Sequence, residues 1–259
     1  MDSDNLFVIV CHGRSGSTLL RRLLNTHSQI FAPTEPWLFF WLIDSLKKGR
    51  FGSIAFRHFL GEDEHRSLRE FLIGLVETKL KRSNKKIFVE KTPRNNEILT
   101  EISELVPEAK YIYLMRDFAS IVESALYRYD TWKSVLRKRT TGFVLSHALS
   151  VIKKQRVIHN FVSGISPEKL FTLSYEDLVS NPTLVLSELF AWMGVTYENV
   201  LEYKSEDLVL GDKKSNNSRS IEIRNKKSRL NFLERQILSK MFTPYTKTNA
   251  ELDKSYVIG

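Results

Sequence analysis

The sequence has almost no cysteine: Cys11 is the single one among 259 residues. No disulfide can form within the chain, which is typical of a reducing compartment and excludes a disulfide-stabilised scaffold. Long apolar runs are also missing, because the most apolar stretch, from Trp37 to Ile43, is far shorter than the roughly 20 residues that a membrane-spanning helix needs. The sequence predicts no signal peptide and no lipidation site. We therefore expect a cytoplasmic protein without an integral membrane segment.

Acidic residues are fewer than basic ones, 30 against 39, which gives a formal net charge of +9. Such an excess favours a polyanionic partner: a nucleic acid, an anionic membrane or a small polyanionic ligand. We expect no nucleic acid, because the basic residues lie beside carboxylates in most segments and no recognition motif occurs. The six histidines show no metal-ligand spacing, so no metal is predicted.

Short apolar runs alternate with segments of helical periodicity along most of the chain. Strands are predicted at residues 6–11, 87–89, 110–115 and 170–174, and helices at 17–27, 37–48, 65–81, 97–105, 119–129, 143–161, 182–193 and 230–241. This order predicts an α/β fold, a single domain over residues 1–259 with a central, mostly parallel sheet flanked by helices. Residues 202–227 are polar without periodicity and are predicted to form a long loop. Ligands of such sheets bind where strands end and helices begin.

The first of these junctions has the composition of an anion-binding loop. Glycine allows close approach to an anion, the following helix presents free N–H groups, and Arg14 adds a full charge. The lysine of a Walker A motif is replaced by Ser17, which disfavours a kinase that uses a magnesium nucleotide. An ordinary tight turn requires neither the arginine nor the hydroxyl groups of this loop, which consists of Gly13, Arg14, Ser15, Gly16, Ser17 and Thr18.

The three later strands end in further polar residues. Lys91 follows the second strand, Arg116 the third and Tyr175 the fourth, while Ser124 lies two turns into a helix. Because the carboxyl ends of parallel strands share one edge, Arg14, Lys91 and Arg116 are predicted to converge on one cleft. Each residue taken singly has a plainer interpretation: a solvated strand end, a surface ion pair, a helix serine bonded to its own backbone, or a half-buried tyrosine.

These motifs together resemble those of the sulfotransferases that depend on 3′-phosphoadenosine 5′-phosphosulfate (PAPS). The loop from Gly13 to Thr18 resembles their 5′-phosphosulfate loop, and Arg116 with Ser124 resembles their 3′-phosphate motif. The segment from Tyr175 to Leu178 is similar to a downstream motif of the family. Lys91-Thr-Pro resembles the lysine motif of the tyrosylprotein and carbohydrate branches. In the tyrosylprotein branch a catalytic glutamate follows the loop arginine by 21 residues, the interval that separates Glu35 from Arg14 here.

The resemblance implies a P-loop-like, three-layer fold and metal-independent transfer of a sulfuryl group from PAPS, with PAP as product. The acceptor is then a hydroxyl or amine on a small molecule, lipid, carbohydrate or peptide. Glu35 is the implied general base, with Lys91 and Arg14 as its catalytic partners; His12 and His27 are weaker candidates for the base. The implied donor-binding residues are Gly13, Arg14, Ser15, Gly16, Ser17, Thr18, Arg116, Ser124 and Tyr175.

Several interpretations stay open at this stage. A P-loop kinase of a small molecule and a non-catalytic nucleotide- or polyanion-binding protein are the alternatives to a sulfotransferase. The aromatic stretch from Trp37 to Trp41 forms either the wall of an apolar acceptor pocket or part of the core. The basic residues within 202–227 either close over the nucleotide, attract an anionic acceptor or are simply solvated.

Overall fold

The computed structural model describes residues 5–47, 53–61, 63–128, 141–201 and 230–254. The strands are β1 (Leu6–Cys11), β2 (Ile30–Phe31), β3 (Ile87–Glu90), β4 (Lys110–Met115) and β5 (Leu170–Ser174). The helices are α1 (Ser17–Thr26), α2 (Leu38–Lys47), α3 (Ser53–Leu60), α4 (Glu64–Ser83), α5 (Leu99–Leu105), α6 (Phe118–Arg128), α7 (Thr141–Val162), α8 (Tyr175–Ser180), α9 (Pro182–Trp192) and α10 (Phe232–Lys254), with 3₁₀ turns at Pro93–Glu97 and Pro167–Lys169.

The five strands found among the described residues form one parallel sheet in the order β2-β3-β1-β4-β5. All six residues of β1 are buried, as expected for a central strand that is covered on both faces. Its alternate side chains enter opposite layers. Leu6, Val8 and Val10 pack with α2, α4, α5 and α7. Phe7, Ile9 and Cys11 pack with α1, α8 and α9.

A third apolar cluster lies where α6, α7 and α10 meet. Phe118 stacks on Phe242 with ring centroids 4.8 Å apart, and Val144 and Leu238 are fully buried beside them. This cluster joins the helix after β4 to the C-terminal helix. Among the helices in the described part of the chain, none combines the length and apolar character needed to cross a membrane.

The predicted α/β class and parallel sheet are confirmed, and the four predicted strands lie where the sequence placed them. Three elements were not predicted: β2, α3 and α8. The helix predicted at 97–105 begins later, at Leu99, because Pro93 opens a 3₁₀ turn in which the Asn95 N–H bonds to the Thr92 carbonyl. The last helix is longer than predicted. Residues 202–227, the predicted basic loop, lie outside the described residues.

Candidate active site at the carboxyl edge of the sheet

The loop after β1 has the backbone geometry of an anion-binding turn. Arg14 and Gly16 both adopt the left-handed conformation, with φ of 73° and 95°. Gly16 is the N-cap of α1 and makes no side-chain cap bond. The N–H groups of Ser17 and Thr18, in the first helical turn, have no helical carbonyl to bond. The loop therefore offers free donors and the positive end of the α1 dipole.

Tyr175 closes one side of this loop. A Cβ atom added to Gly16 would lie 2.2 Å from a ring carbon of Tyr175, so that glycine is required by the contact as well as by its φ. The same ring lies under the Arg116 guanidinium, 4.2 Å from its centroid. Tyr175 thus contacts both the β1 loop and the cation after β4.

Arg14, Arg116 and Ser124 meet beside the loop. Arg14 Nε donates to Ser124 Oγ at 3.1 Å, and Arg116 Nη1 donates to the Arg14 carbonyl at 2.8 Å. Arg116 Nε is buried and bonds to none of the described residues. Arg116 lies just before α6, which begins at Phe118 and carries Ser124. Arg14 connects the other two, because its side chain donates to Ser124 while its carbonyl accepts from Arg116.

Lys91 and Glu35 form an ion pair on the other side of the loop. Lys91 Nζ donates to Glu35 Oε1 at 2.7 Å; the lysine side chain is 2% exposed and the glutamate 30%. Glu35 Oε2 accepts no hydrogen bond from the described residues. Since β3 and β4 flank β1, Lys91 and Arg116 lie on opposite sides of the β1 loop. The structure thus brings Arg14, Lys91 and Arg116 to one edge of the sheet.

A buried polar network lies next to Lys91 at the end of β3, and it was not predicted from the sequence. Glu90, fully buried at the end of β3, accepts from Thr92 Oγ1 at 2.7 Å and from Asn95 Nδ2 at 3.0 Å. Asn96 Nδ2 donates to the Cys11 carbonyl at 2.7 Å, which ties the 3₁₀ turn to β1. A carboxylate that ends an otherwise apolar strand is a signal that could have identified Glu90.

The two histidines that were weaker candidates for the base are engaged in structural bonds. His12 Nε2 bonds to Gln155 Oε1 at 2.9 Å, and burial lowers the pKa of His12 to about 4, so its imidazole is neutral. His27 is fully buried: its Nε2 donates to the Thr196 carbonyl and its Nδ1 accepts from the Gln29 N–H. Burial also raises the pKa of the Cys11 thiol, which stays protonated.

The aromatic stretch from Trp37 to Trp41 is divided between core and surface. Phe39 and Phe40 are buried in the layer that contains α2. Trp37 is partly buried, with its ring edge-on to Phe40, whereas Trp41 is 58% exposed. Core packing therefore accounts for Phe39 and Phe40 and leaves Trp41 unexplained.

A model of the sulfotransferase family matches residues 7–199 of the chain. The nodulation protein NoeE of Sinorhizobium fredii is 34% identical over 125 residues, which cover 43% of this chain and 28% of NoeE. The aligned region is thus well under two thirds of the length of that relative. The family model does not separate branches, so the similarity to the tyrosylprotein and carbohydrate branches stays a prediction.

Solved structures share the fold over nearly the whole chain. The sulfotransferase domain of the Synechococcus PCC 7002 olefin synthase has a TM-score of 0.62 at 20% identity, covering 92% of this chain and 94% of its own. The sulfotransferase domain from the curacin biosynthetic pathway has a TM-score of 0.59 at 23% identity, with coverages of 92% and 96%. Mouse sulfotransferase SULT7A1, complexed with PAP, has a TM-score of 0.54 at 14% identity, with coverages of 98% and 89%.

Proposed function

Because the chain belongs to the sulfotransferase family, we propose that it transfers a sulfuryl group from PAPS to a hydroxyl or amine acceptor and releases PAP. The observation that carries this proposal is the arrangement at the β1 loop: a carboxylate–lysine pair on one side and an arginine cluster on the other. The mouse sulfotransferase with the same fold was solved with PAP, which supports the same donor here. The acceptor is a small molecule, lipid, carbohydrate or peptide in the cytoplasm.

The residues present fit such a donor. PAPS carries a phosphosulfate at its 5′ end and a phosphate at its 3′ position, so it requires two separate cationic sites. The loop from Gly13 to Thr18 with Lys91 is assigned to the 5′ end. Arg116 and Ser124 are assigned to the 3′-phosphate. The buried Arg116 Nε, which bonds to none of the described residues, is a donor that an anion would satisfy.

The proposed mechanism uses the ion pair of Glu35 and Lys91 together with the β1 loop. Glu35 Oε2 accepts the proton of the acceptor hydroxyl while the oxygen of that hydroxyl attacks the sulfur of PAPS. The bond from sulfur to the bridging oxygen breaks, and its electron pair stays on the 5′-phosphate of PAP. Lys91, Arg14 and the loop N–H groups stabilise that developing charge. The sulfuryl group leaves as part of the new sulfate ester, so atoms and charge balance.

Replacement of the base tests the mechanism. For Glu35→Gln we expect the rate of ³⁵S transfer from [³⁵S]PAPS to a metabolite and lipid extract to fall by about 10²–10⁴-fold, the usual contribution of a positioned base. PAP affinity, measured by calorimetry, should stay unchanged. Glu70→Gln, at an exposed ion pair with Arg66, is the matched control and should leave both quantities as they are. An undiminished rate in Glu35→Gln would remove Glu35 from the mechanism.

A further inference from the structure

The turn that bears Glu35 has an unfavourable backbone conformation. Glu35 has φ of 31° and Trp37 has φ of 57°, and neither is glycine. Side chains with a Cβ atom adopt this region rarely and keep it only where neighbouring groups enforce it. The turn from Glu35 to Trp37 therefore needs restraints from outside itself.

Thr92 supplies one restraint. Its Oγ1 accepts the backbone N–H of Trp37 at 3.3 Å and donates its own proton to Glu90 Oε1 at 2.7 Å. A hydroxyl has one proton and two lone pairs, so donation to Glu90 directs the lone pairs toward Trp37. Asn95 Nδ2 donates to the same Glu90 oxygen at 3.0 Å and fixes the carboxyl in place.

Burying the carboxyl group of Glu90 at this position costs free energy. It is fully buried, and its Oε2 bonds to none of the described residues. Burial raises the pKa of Glu90 to about 7, because a buried carboxylate is poorly solvated. An apolar side chain would avoid this cost. The hydrogen bonds that Glu90 does make lead to Thr92 and Asn95, and through Thr92 to the turn.

We propose that Glu90 and Thr92 are positioning residues that hold the turn from Glu35 to Trp37 in the conformation in which Glu35 meets Lys91. Neither residue has to contact the donor or the acceptor, because both act through the Trp37 backbone. The effect on rate rests on the proposed function, in which Glu35 is the base, whereas the restraint on the turn does not.

Thr92→Val tests the restraint, because it removes the hydroxyl and keeps the shape; Thr92→Ser keeps the hydroxyl and is the control. We expect the Trp37 amide, followed by hydrogen exchange in NMR spectra, to exchange about fivefold to tenfold faster in Thr92→Val, because the hydrogen bond that protects it is lost. Thr92→Ser should keep the protection of the wild type. Glu90→Met should behave like Thr92→Val, and Glu90→Gln, which retains an acceptor oxygen, like the wild type.

Kinetics test whether the restraint serves Glu35. In Thr92→Val the rate of ³⁵S transfer to the same extract should fall by about 10–10²-fold, the effect of a misplaced catalytic group, with PAP affinity unchanged. In a Glu35→Gln background, Thr92→Val should cause no further loss. Full additivity of the two losses, or a Trp37 amide that stays protected in Thr92→Val, overturns the inference. An active Glu35→Gln would instead reject the proposed base, while the exchange of Trp37 still reports on the restraint.

Discussion

Two buried titratable residues, His12 and Glu90, lie at the carboxyl ends of β1 and β3. Burial favours the neutral form of each, so it lowers the pKa of His12 to about 4 and raises the pKa of Glu90 to about 7. His12 therefore binds fewer protons in the folded protein than in the unfolded chain, and Glu90 binds more. The two residues make opposite contributions to the pH dependence of stability.

Between about pH 4.5 and 7 the folded protein holds a proton on Glu90 that the unfolded chain has lost. The stability that this proton contributes is present below pH 4.5 and is lost as the pH rises through 7. We expect the free energy of unfolding of Glu90→Gln, relative to the wild type, to increase by about 3 kcal/mol over this range. Urea unfolding at pH 4.5, 5.5 and 7 measures it.

His12→Gln provides the opposite case. His12 binds a proton in the unfolded chain but not in the folded protein between about pH 4 and 6.5, so its contribution grows with pH. The variant should lose stability relative to the wild type as the pH rises over that range.

For Glu90, the contradicting result would be a free energy of unfolding that changes with pH in the same way in Glu90→Gln and in the wild type. Such a result would show that Glu90 is not held as a neutral acid.

At the residue scale, the charged residues at the edge of the sheet were easier to predict from the sequence than the polar residues that form hydrogen bonds around them. Lys91 and Arg116 were predicted because they follow apolar strands, and a parallel sheet places such positions at one edge. Thr92 and Gln155 were missed, because their roles depend on partners that are distant in the chain. Gln155, for example, bonds to His12 and Tyr113 from the middle of α7.

At the scale of elements, the junction of β1 and α1 depends on one glycine. Gly16 combines a φ of 95° with close contact to the Tyr175 ring. An alanine there must move either the ring that lies under Arg116 or the start of α1. The junction therefore couples the anion loop to the residues that follow β4 and β5.

Gly16→Ala should destabilise the fold by about 1–3 kcal/mol and weaken PAP binding. Alanine disfavours the φ of 95° at this position, and its Cβ atom would clash with the Tyr175 ring. Gly74→Ala, at an exposed position in α4 with open space around it, is the matched control. It should leave PAP binding unchanged and stabilise slightly, as alanine does in a helix. Thermal unfolding with and without PAP measures both effects, and equal behaviour of the two variants would contradict this account of the junction.

The elements themselves were predictable where periodicity was strong. Mostly apolar runs of three to six residues marked β1, β3, β4 and β5, and the spacing of leucines marked α1. β2 was missed because two residues carry no periodic signal. α8 was missed because its six residues begin directly after β5, capped by Ser174.

At the scale of the whole molecule, the net charge of +9 indicated an anion without identifying it. The fold accounts for three of the cations, because Arg14, Lys91 and Arg116 all lie at the carboxyl edge of the sheet. The assignment of the entire chain, residues 1–259, to one domain stays a prediction, as do the cytoplasmic location and the metal-independent reaction. The roles of the basic residues within 202–227 also stay predictions.

The most direct test of the proposed donor is calorimetric titration with PAP and with AMP, which lacks the 3′-phosphate. We expect the protein to bind PAP about 10–10²-fold more tightly than AMP, the value of charge-assisted hydrogen bonds to the 3′-phosphate. Arg116→Ala should abolish most of that preference, whereas Arg66→Ala, at an exposed ion pair, should preserve it. Equal affinity for PAP and AMP in the wild type, or tighter binding of ATP with Mg²⁺, would contradict the assignment of PAPS as donor.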